Sequence, residues 1–295
     1  MTEAGPLDVV MRLHDAGRVT ELARAVFSLV GQSHRPLHVI LCVQRFSAGM
    51  IAEVRAALAP VLAMAEAPTL AVVNHTDAVP QDARAALANH GIAAARGRYL
   101  AFLDYDDTLY PEAYARLIAR LQASGAAIAF ASVAVKHAEI EDDLPFVLGR
   151  RVRHWPGRSL ADLFEENYCP LHSFVLDRAR LPADLRFEPT LARLEDYDFL
   201  LRVCAAVPAD FALIDTVIGD YYMKTDGSNS TPFGEATSAA NLAEWQRARA
   251  AIEARRRTTP VAPAMQRAAG LAAPVEGLTI RGLLDRLGRR GVAAA

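Results

Sequence analysis

The sequence predicts an α/β fold in which helices cover both faces of a mostly parallel β-sheet. Over residues 7–135, five apolar runs of strand length alternate with four segments of helical periodicity. This alternation is typical of a largely parallel sheet, since parallel neighbours are joined by crossover helices. The apolar runs are nearly continuous, as expected for strands buried on both faces. With 295 residues, 52% of them hydrophobic, the chain can form a sizeable core.

Each element of this region has a local signal. The segment after the first strand carries Leu22, Val26 and Leu29 at helical spacing. The fourth helix opens with Pro111 and ends at Gly125, as helices commonly do. The predicted strands are 7–13, 38–44, 69–74, 98–104 and 126–135, and the predicted helices are 19–32, 48–66, 82–97 and 111–125.

The regular alternation stops after residue 136. The later segments are predicted, in chain order, as irregular structure over 137–158, a helix over 159–167, a strand over 170–177, a helix over 194–207, one or two strands and a Gly-Ser loop over 211–230, a long helix over 235–257, a linker over 258–277 and a short basic helix over 278–290. We therefore expect a main domain over residues 1–231 and a helical, basic C-terminal extension over residues 232–295.

Composition limits the classes of function. The net charge is −2, so we expect no nucleic-acid partner, although ten arginines and three acids from Arg247 onward make this end basic. Three widely spaced cysteines give no disulfide or zinc pattern. The first residues show no signal-peptide pattern, and no run reaches the roughly 20 apolar residues of a membrane span. We therefore expect a cytoplasmic protein, with peripheral contact to the inner membrane as an open alternative.

One predicted strand runs directly into three carboxylates. Residues 100–109 read LAFLDYDDTL, which places Asp104, Asp106 and Asp107 at the strand end. Ligands of open α/β sheets bind at the carboxyl ends of the strands, so these carboxylates are the leading site candidates. Two unrelated enzyme classes use such a string, and a solvated cluster at a helix start is the structural alternative.

The first class is the haloacid-dehalogenase-type phosphatases, in which Asp104 would be the nucleophile of a D-x-D-x-T-L motif. Ser132 then ends the next strand, where a phosphate-binding hydroxyl would lie. Such an enzyme also needs a lysine to neutralise the aspartyl phosphate. The two lysines of the chain, Lys136 and Lys224, do not lie between these motifs, and three β-α units precede a strand that would normally begin the fold.

The second class explains more of the chain, which resembles the family 2 glycosyltransferases. The stretch ARAALANHGIAAARGRYLAFLDYDDTLYPEAYARL is similar to the family's sequence of an Arg-Ala helix, N-x-G, A-x-G-x-Y, an apolar strand, D-x-D-D and a Pro-opened helix. Residues 18–29 resemble its first helix, LEDYDFLLRV its E-D motif and DYYMKTDGSNS its closing loop segment. The resemblance covers about residues 7–231, and four motifs in order are far more specific than a D-x-D alone.

The resemblance implies a GT-A fold and an inverting transfer of sugar from a nucleotide-diphosphate donor to a hydroxyl of a glycan or lipid-linked glycoconjugate. It implies Mn²⁺ or Mg²⁺ as cofactor, with Asp106 as ligand and Asp104 sharing the metal or binding the ribose. Asp196 of the E-D motif would be the catalytic base. Glu195 and Asp198 would orient it or pair with arginines, and all three acids also suit a helix N-terminus. The expected role is in bacterial surface polysaccharide synthesis.

The nucleotide is where the sequence departs from the family. The first strand usually ends in P-T-Y-N and the second in Asp, whereas this chain has Arg12-Leu13-His14-Asp15 and Gln44. An amide both donates and accepts hydrogen bonds, so UDP, dTDP and GDP types of donor all stay open. These departures also motivate a third interpretation, an inactive GT-A protein that only binds.

The remaining site candidates come from strand ends and from the resemblance, and each has a structural alternative. Arg84 could equally be a surface arginine, Lys224 a solvated loop lysine, Trp155 a core residue and His172 a histidine at a strand end. The predicted donor-binding residues are His14, Gln44, Arg84, Asp104 and Lys224, and the predicted acceptor-binding residues are His172 and Trp155.

The last predicted helix is amphipathic. Its apolar face consists of Ile280, Leu283, Leu284 and Leu287, and arginines occupy the rest of its surface. We expect this face to pack on the body of the protein, since one short stripe is ordinary amphipathicity. Contact with an anionic membrane surface and a homodimer through the C-terminal helices are the alternatives.

Overall fold

The computed structural model describes residues 5–141, 144–152, 155–224 and 239–289. The strands are β1 (Leu7–Leu13), β2 (Leu37–Gln44), β3 (Thr69–His75), β4 (Tyr99–Asp104), β5 (Thr108–Leu109), β6 (Ile128–Glu141), β7 (Leu144–Arg151), β8 (Phe174–Asp177) and β9 (Ala209–Lys224). The helices are α1 (Val19–Val30), α2 (Ala48–Leu62), α3 (Arg84–Ala94), α4 (Ala113–Ser124), α5 (Leu160–Glu165), α6 (Glu195–Ala206), α7 (Ala239–Thr258), α8 (Pro263–Ala268) and α9 (Ile280–Arg286).

The strands form one mixed sheet in the order β3-β2-β1-β4-β8-β6-β9-β5, and β7 pairs with the far end of β6. β1 is parallel to β2 and β4, β2 to β3, and β6 to β9. β8 lies between β4 and β6 and is antiparallel to both. The predicted fold class, a mixed and mostly parallel sheet between helices, is confirmed. The antiparallel strand between β4 and β6 is β8, which returns from much later in the chain.

Strand alternation divides the buried side chains into two cores, one on each face of the sheet. On β1, Val10 belongs to one core and Val9 and Met11 to the other. Successive residues of a strand point to opposite faces, which is why apolar residues stand next to each other at Val9, Val10 and Met11. Gly91 lets α3 lie close to β1, since a Cβ atom at this position would meet Val10 Cγ1 at 2.3 Å. The sheet and helices thereby fix the strand ends around which the polar residues gather.

The prediction of irregular structure over residues 137–158 is wrong. β6 continues to Glu141, and β7 pairs with it antiparallel as the second strand of a hairpin. The strand signal was present, because buried Ala138 and half-buried Ile140 alternate with exposed Glu139 and Glu141. The charges of Glu139 and Glu141 obscured this alternation of buried and exposed residues in the sequence.

The prediction of a linker over residues 258–277 is also wrong, because α8 forms within it. Gln266 is fully buried, and its amide nitrogen donates to the carbonyl oxygens of Val261 and Val275 at 2.8 and 2.9 Å. The Val275 amide donates in return to Gln266 Oε1 at 2.8 Å. One buried side chain therefore holds together a segment whose Ala-Pro composition suggested a linker.

The C-terminal helices pack on the main sheet domain, as expected for the apolar face of α9. Ile280, Leu283 and Leu284 are fully buried in the same core as Phe164 and Phe199. The predicted division between residues 231 and 232 lies outside the described residues. No helix of the described ranges is long and apolar enough to cross a bilayer.

We expect Leu284→Ala to lower the free energy of unfolding by about 2–5 kcal/mol, because it removes buried methyl groups and leaves a cavity. Leu242→Ala is the matched control, since Leu242 is 53% exposed on α7. Urea denaturation of the full chain measures both. Equal, small effects of the two substitutions would mean that α9 contributes no core packing.

Candidate active site

A polar cleft of about 380 Å³ opens at the carboxyl ends of β1, β2 and β4. This is the edge at which open α/β sheets bind ligands. The side chains of the cleft include the predicted residues His14, Gln44, Arg84, Asp104 and Asp106 and also the unpredicted Arg12, Arg193 and Tyr221. The fold therefore brings most of the predicted donor-binding set into one place.

Arg12 connects two parts of the site. It is paired with Asp104 in the register of β1 and β4, and its guanidinium donates to both carboxylate oxygens of Asp104 at 2.8–3.0 Å. Its Nη1 atom donates to Glu195 Oε1 at 2.9 Å. Burial lowers the pKa of Arg12, but the two carboxylates outweigh it and raise the pKa. A charged arginine thus ties the D-x-D strand end to the first residue of α6.

Asp106 is held by Lys224. The Lys224 Nζ atom lies 2.9 Å from Asp106 Oδ2 and 3.1 Å from both carboxylate oxygens of Glu21 on α1. Burial and the neighbouring Asp107 raise the pKa of Asp106, and Lys224 opposes them. The Asp106 side chain keeps 22% of its surface exposed, so it can accept a further ligand.

Lys224 differs from both of its predicted environments. It is the last residue of β9 and its side chain is only 1% exposed, so it is neither a loop residue nor solvated. The following Asp226-Gly227-Ser228 lies outside the described residues. In this structure Lys224 neutralises carboxylates instead of projecting into the cleft.

Asp107 and His172 lie beneath the cleft. Asp107 is 2% exposed and accepts a hydrogen bond from the Tyr222 amide at 2.9 Å, which fastens the D-x-D-D turn to β9. His172 is 1% exposed, and its Nδ1 atom lies 3.2 Å from Asp107 Oδ2. Its ring stacks on Tyr221. The structure thus assigns His172 to the support of Asp107, and this position does not suit the predicted contact with an acceptor.

The start of α6 is strained and carries the predicted base. Leu194, immediately before the helix, has φ +58°, a left-handed conformation that is costly for a branched residue. Asp196 accepts hydrogen bonds from the Tyr197 amide at 2.7 Å and from Asn167 Nδ2 at 3.4 Å. Burial and the adjacent Glu195 raise the pKa of Asp196 to about 7. A carboxylate that gains a proton near neutral pH has the property required of a general base.

The other acids of α6 have structural contacts. Asp198 is 2% exposed and accepts hydrogen bonds from Arg202 at 2.8 Å and from Arg255 at 2.6 Å. The expected pairing with Arg202 is therefore present. Arg193 pairs with Glu244 of α7, at 3.1 Å, and Glu195 pairs with Arg12.

Gln44 and Arg84 shape one side of the cleft. The Gln44 amide donates to the Gln81 carbonyl at 2.8 Å, and its Oε1 atom accepts from the Ala83 amide at 3.3 Å. Arg84 pairs with Asp82 at 2.7 Å. Both groups of the Gln44 amide therefore hold the segment before α3.

Trp155 and His14 lie on aromatic neighbours. Trp155 is partly buried against both cores and meets Tyr221 edge to face, with 5.9 Å between ring centroids. His14 lines the cleft and meets Tyr105 in the same way at 6.0 Å. Tyr221, between Trp155 and the cleft, was not predicted, and its place in a strand of regular alternation gave no signal for it.

Arg12 was missed although the sequence contained a signal. It is the one charged residue near the end of an otherwise apolar strand, at the position where the family usually has proline. A charge at the end of a buried strand needs a partner, and the matching position of β4 is Asp104. The partner could be found only once the strand register was known.

Comparisons with known proteins agree with the motifs. The model of the family described as glycosyl transferase family 2 matches residues 79–157, which include α3, β4 and the D-x-D-D turn. This match covers 79 of the 295 residues and includes the N-x-G, A-x-G-x-Y and D-x-D-D motifs. Among curated proteins it is 34% identical over 133 residues to the succinoglycan biosynthesis protein ExoO of Rhizobium meliloti (strain 1021). That match covers 40% of this chain and 36% of the relative, so the chain spans about a third of its length.

Solved structures show that the fold is GT-A. S. aureus TarS 1-349 in complex with UDP has a TM-score of 0.57 and 13% identity, covering 90% of this chain and 69% of that chain. The mannosyltransferase PcManGT from Pyrobaculum calidifontis, in complex with GDP-Man and Mn²⁺, has a TM-score of 0.54 and 15% identity, covering 97% and 80%.

The family 2 match over residues 79–157 includes LAFLDYDDTL and favours the glycosyltransferase interpretation over the phosphatase one. The contacts agree, because Asp104, which would have to be a free nucleophile, is bonded through both oxygens to Arg12. Lys136 pairs with Asp220 at 2.6 Å.

The residues of the cleft fit a divalent cation at Asp106. No group of three or more His, Cys, Asp or Glu side chains within the described ranges is arranged to hold a metal ion. Mg²⁺, however, is commonly bound through one or two carboxylates and the phosphates of the substrate. Asp106 meets this requirement through its exposure and its crowding by other acids. Both oxygens of Asp104 are engaged by Arg12, which makes it the weaker candidate.

We expect Lys224→Met to lower the free energy of unfolding by about 1–3 kcal/mol, because it removes the nearest counter-charge of buried Glu21 and leaves it with the more distant Arg18 at 3.7 Å. Urea denaturation without donor measures this effect. The double variant Lys224→Met/Glu21→Gln is the control, and it should recover much of the loss because both charges are gone. Wild-type stability of Lys224→Met would contradict a buried structural lysine.

Proposed function

We propose that this glycosyltransferase moves a sugar from a nucleotide-diphosphate donor to a hydroxyl of a glycan or lipid-linked acceptor, in one step and with inversion. The observation that carries the proposal is the bridge from Asp104 through Arg12 to Glu195. It joins the strand end suited to a donor diphosphate to the helix that carries a carboxylate with a pKa near 7. The two halves of the reaction would then take place around one cleft.

The donor diphosphate would lie in the cleft near its arginines. Arg84 and Arg193 line the cleft together with Arg12, and guanidinium groups bind phosphates in bidentate fashion. The negative charge that develops on the leaving diphosphate would be stabilised by these cations. The structurally similar proteins support this choice of donor, since one was solved in complex with UDP and the other with GDP-Man.

Mn²⁺ or Mg²⁺ would be held by Asp106, with Asp104 as a second ligand if it exchanges its contact with Arg12. A divalent cation supplies Lewis-acid stabilisation of the leaving diphosphate when it is bound. The chain itself would orient the donor through Arg12 and Asp104, and Lys224 would keep the turn fixed through Asp106.

Asp196 would act on the acceptor. Its carboxylate would take the proton of the acceptor hydroxyl as the oxygen forms a bond to the anomeric carbon. The bond from that carbon to the diphosphate breaks at the same time, and the electron pair leaves with the diphosphate. Attack on the face opposite to the leaving group gives inversion. Asn167 and the Tyr197 amide would hold the carboxylate in position.

The base of the nucleotide would contact the segment 81–83 next to Gln44. Gln44 holds this segment through two hydrogen bonds, which leaves Asp82 and Gln81 as polar groups on the cleft. UDP, dTDP and GDP types of donor stay in the proposal. The relative in succinoglycan biosynthesis supports surface polysaccharide synthesis as the role, and Trp155 beside Tyr221 is the remaining candidate for contact with an acceptor sugar.

We expect Mn²⁺-dependent binding of a nucleoside diphosphate, tested by thermal shift with UDP, GDP, CDP and dTDP, with and without the metal. A ligand that binds the native state raises the melting temperature. Asp106→Asn should abolish the effect of the metal and keep the fold, and Asp184→Asn, at an exposed site, is the matched control. Undiminished metal-dependent binding by Asp106→Asn would rule out Asp106 as the metal ligand. An inactive binding protein would bind the nucleotide but would not turn over any donor.

We expect Asp196→Asn to reduce the transfer rate at saturating substrates by about 10²–10⁴-fold with little change in donor affinity. Asn keeps the size of the side chain but cannot take a proton. The variant should melt no earlier than the wild type at pH 8, because burial disfavours the charged carboxylate that it replaces. Early melting with normal turnover would instead identify a helix-capping residue, and Glu195 would become the next candidate.

The pH dependence provides a separate measurement on Asp196. Its pKa is raised to about 7, so it is protonated below this pH and cannot act as a base. The rate should therefore fall about tenfold for each pH unit below 7 and level off above it. Steady-state rates from pH 5.5 to 9 measure this profile. A rate that is flat across pH 7 would exclude Asp196 as the base.

A further inference from the structure

The hairpin of β6 and β7 carries most of the exposed apolar surface of the described residues. Five of their nine large exposed hydrophobic side chains lie in residues 144–152, and they are Leu144, Phe146, Val147, Leu148 and Val152, with exposed fractions of 45–62%. Single exposed apolar residues are ordinary, but a contiguous patch marks an interaction surface.

β7 also has a free edge. Within the described residues it pairs only with β6, so the backbone N–H and C=O groups of its other edge are available to a further strand. A long, apolar edge strand with these groups exposed is a template for strand pairing. Four of these five exposed apolar side chains lie on β7 itself, so the apolar patch and the free edge belong to the same strand.

The charges of the hairpin indicate what pairs with it. Exposed Glu139 and Glu141 lie towards one end of the hairpin, and exposed Arg150 and Arg151 lie at the other. An antiparallel copy of the same hairpin, related by a twofold axis, would place each acidic end beside the basic end of its partner. An anionic membrane would meet the acids as well as the arginines, which does not favour it.

We propose that β7 is a homodimer interface, formed by antiparallel pairing of β7 with β7 of a second copy of this chain. β7 has a bulge at Leu148, because Gly149 pairs with His137 and Val147 with Ala138 of β6, and the bulge puts Phe146 and Gly149 on the same face of the hairpin. A register centred between Val147 and Leu148 would therefore place Phe146 opposite the partner's Gly149. Gly149 has no atom within 4 Å of the position of a Cβ, so this place has room for a phenyl ring. Such an isologous contact closes at two copies.

The same register explains the acidic and basic ends. Leu144 would lie opposite the partner's Arg151, and Glu141 pairs with Leu144 on the neighbouring strand. Two strand spacings, about 10 Å, separate the backbones of Glu141 and the partner's Arg151. Long side chains on one face of the sheet span this distance. The alternative dimer through α9 has less support, because the apolar face of α9 is buried in the body of its own chain.

Sedimentation velocity of the full chain over a concentration series tests the proposal. The wild type should associate reversibly to a dimer, and Phe146→Asp should raise the dissociation constant at least about tenfold. Phe27→Asp is the matched control, because Phe27 is 54% exposed on α1 against 50% for Phe146. A wild type that stays monomeric throughout, or equal effects of the two substitutions, would overturn the proposal.

Charge reversal tests the orientation of the two copies. Glu141→Arg should weaken the dimer by placing like charges together, and adding Arg151→Glu should restore it because the opposite charges meet again across the interface. A double variant that is weaker than either single variant would overturn the antiparallel arrangement. Flotation with phosphatidylglycerol vesicles tests a membrane as the alternative partner of the hairpin. The proposal would also be overturned if the wild type stayed monomeric and bound vesicles, and if Phe146→Asp abolished that binding.

Discussion

The arrangement of the site depends on one buried guanidinium. Arg12 lies between Asp104 and Glu195, so it satisfies two carboxylates that come from different parts of the chain. Without a cation at this place, the acids of the D-x-D turn and of α6 would repel one another in a poorly hydrated setting, where such repulsion is strong. The contact also sets a distance between the sites proposed for donor and base. In this chain, a residue of the first strand therefore controls the geometry of two motifs that the family shares.

The acids below the cleft follow the same principle of local neutralisation. Asp106 and Glu21 share Lys224, Asp107 faces His172, and Asp198 receives two arginines. Buried carboxylates are tolerated only when such partners are present. Asp196 differs, since its hydrogen-bond donors are amides and its neighbour Glu195 is an acid. The raised pKa of Asp196 follows from this difference.

Strand and helix patterns predicted much of the fold, and the family motifs predicted most of the residues of the site. The apolar runs predicted β1 to β4, because a strand buried on both faces must be apolar at every position. The position of β8 between β4 and β6 depends on pairing between distant residues, which periodicity does not encode. Lys224 and His172 lie in surroundings other than the predicted ones for a related reason. Their burial and their charged partners depend on how α1, β9 and the D-x-D-D turn pack together. Gln44 was placed at the cleft correctly, but its partners at 81–83 required the folded loop.

The left-handed backbone at Leu194 has a consequence for the evolution of this protein. A glycine at this position would relieve the strain, and relief of this kind commonly stabilises a fold. It would also give the chain more freedom just where it turns into α6, and the orientation of Glu195 and Asp196 is set by that turn. Leucine at this position therefore lowers the stability of the fold and keeps the turn before α6 rigid. Directed evolution for heat resistance alone would be expected to select against this leucine and to loosen the proposed base.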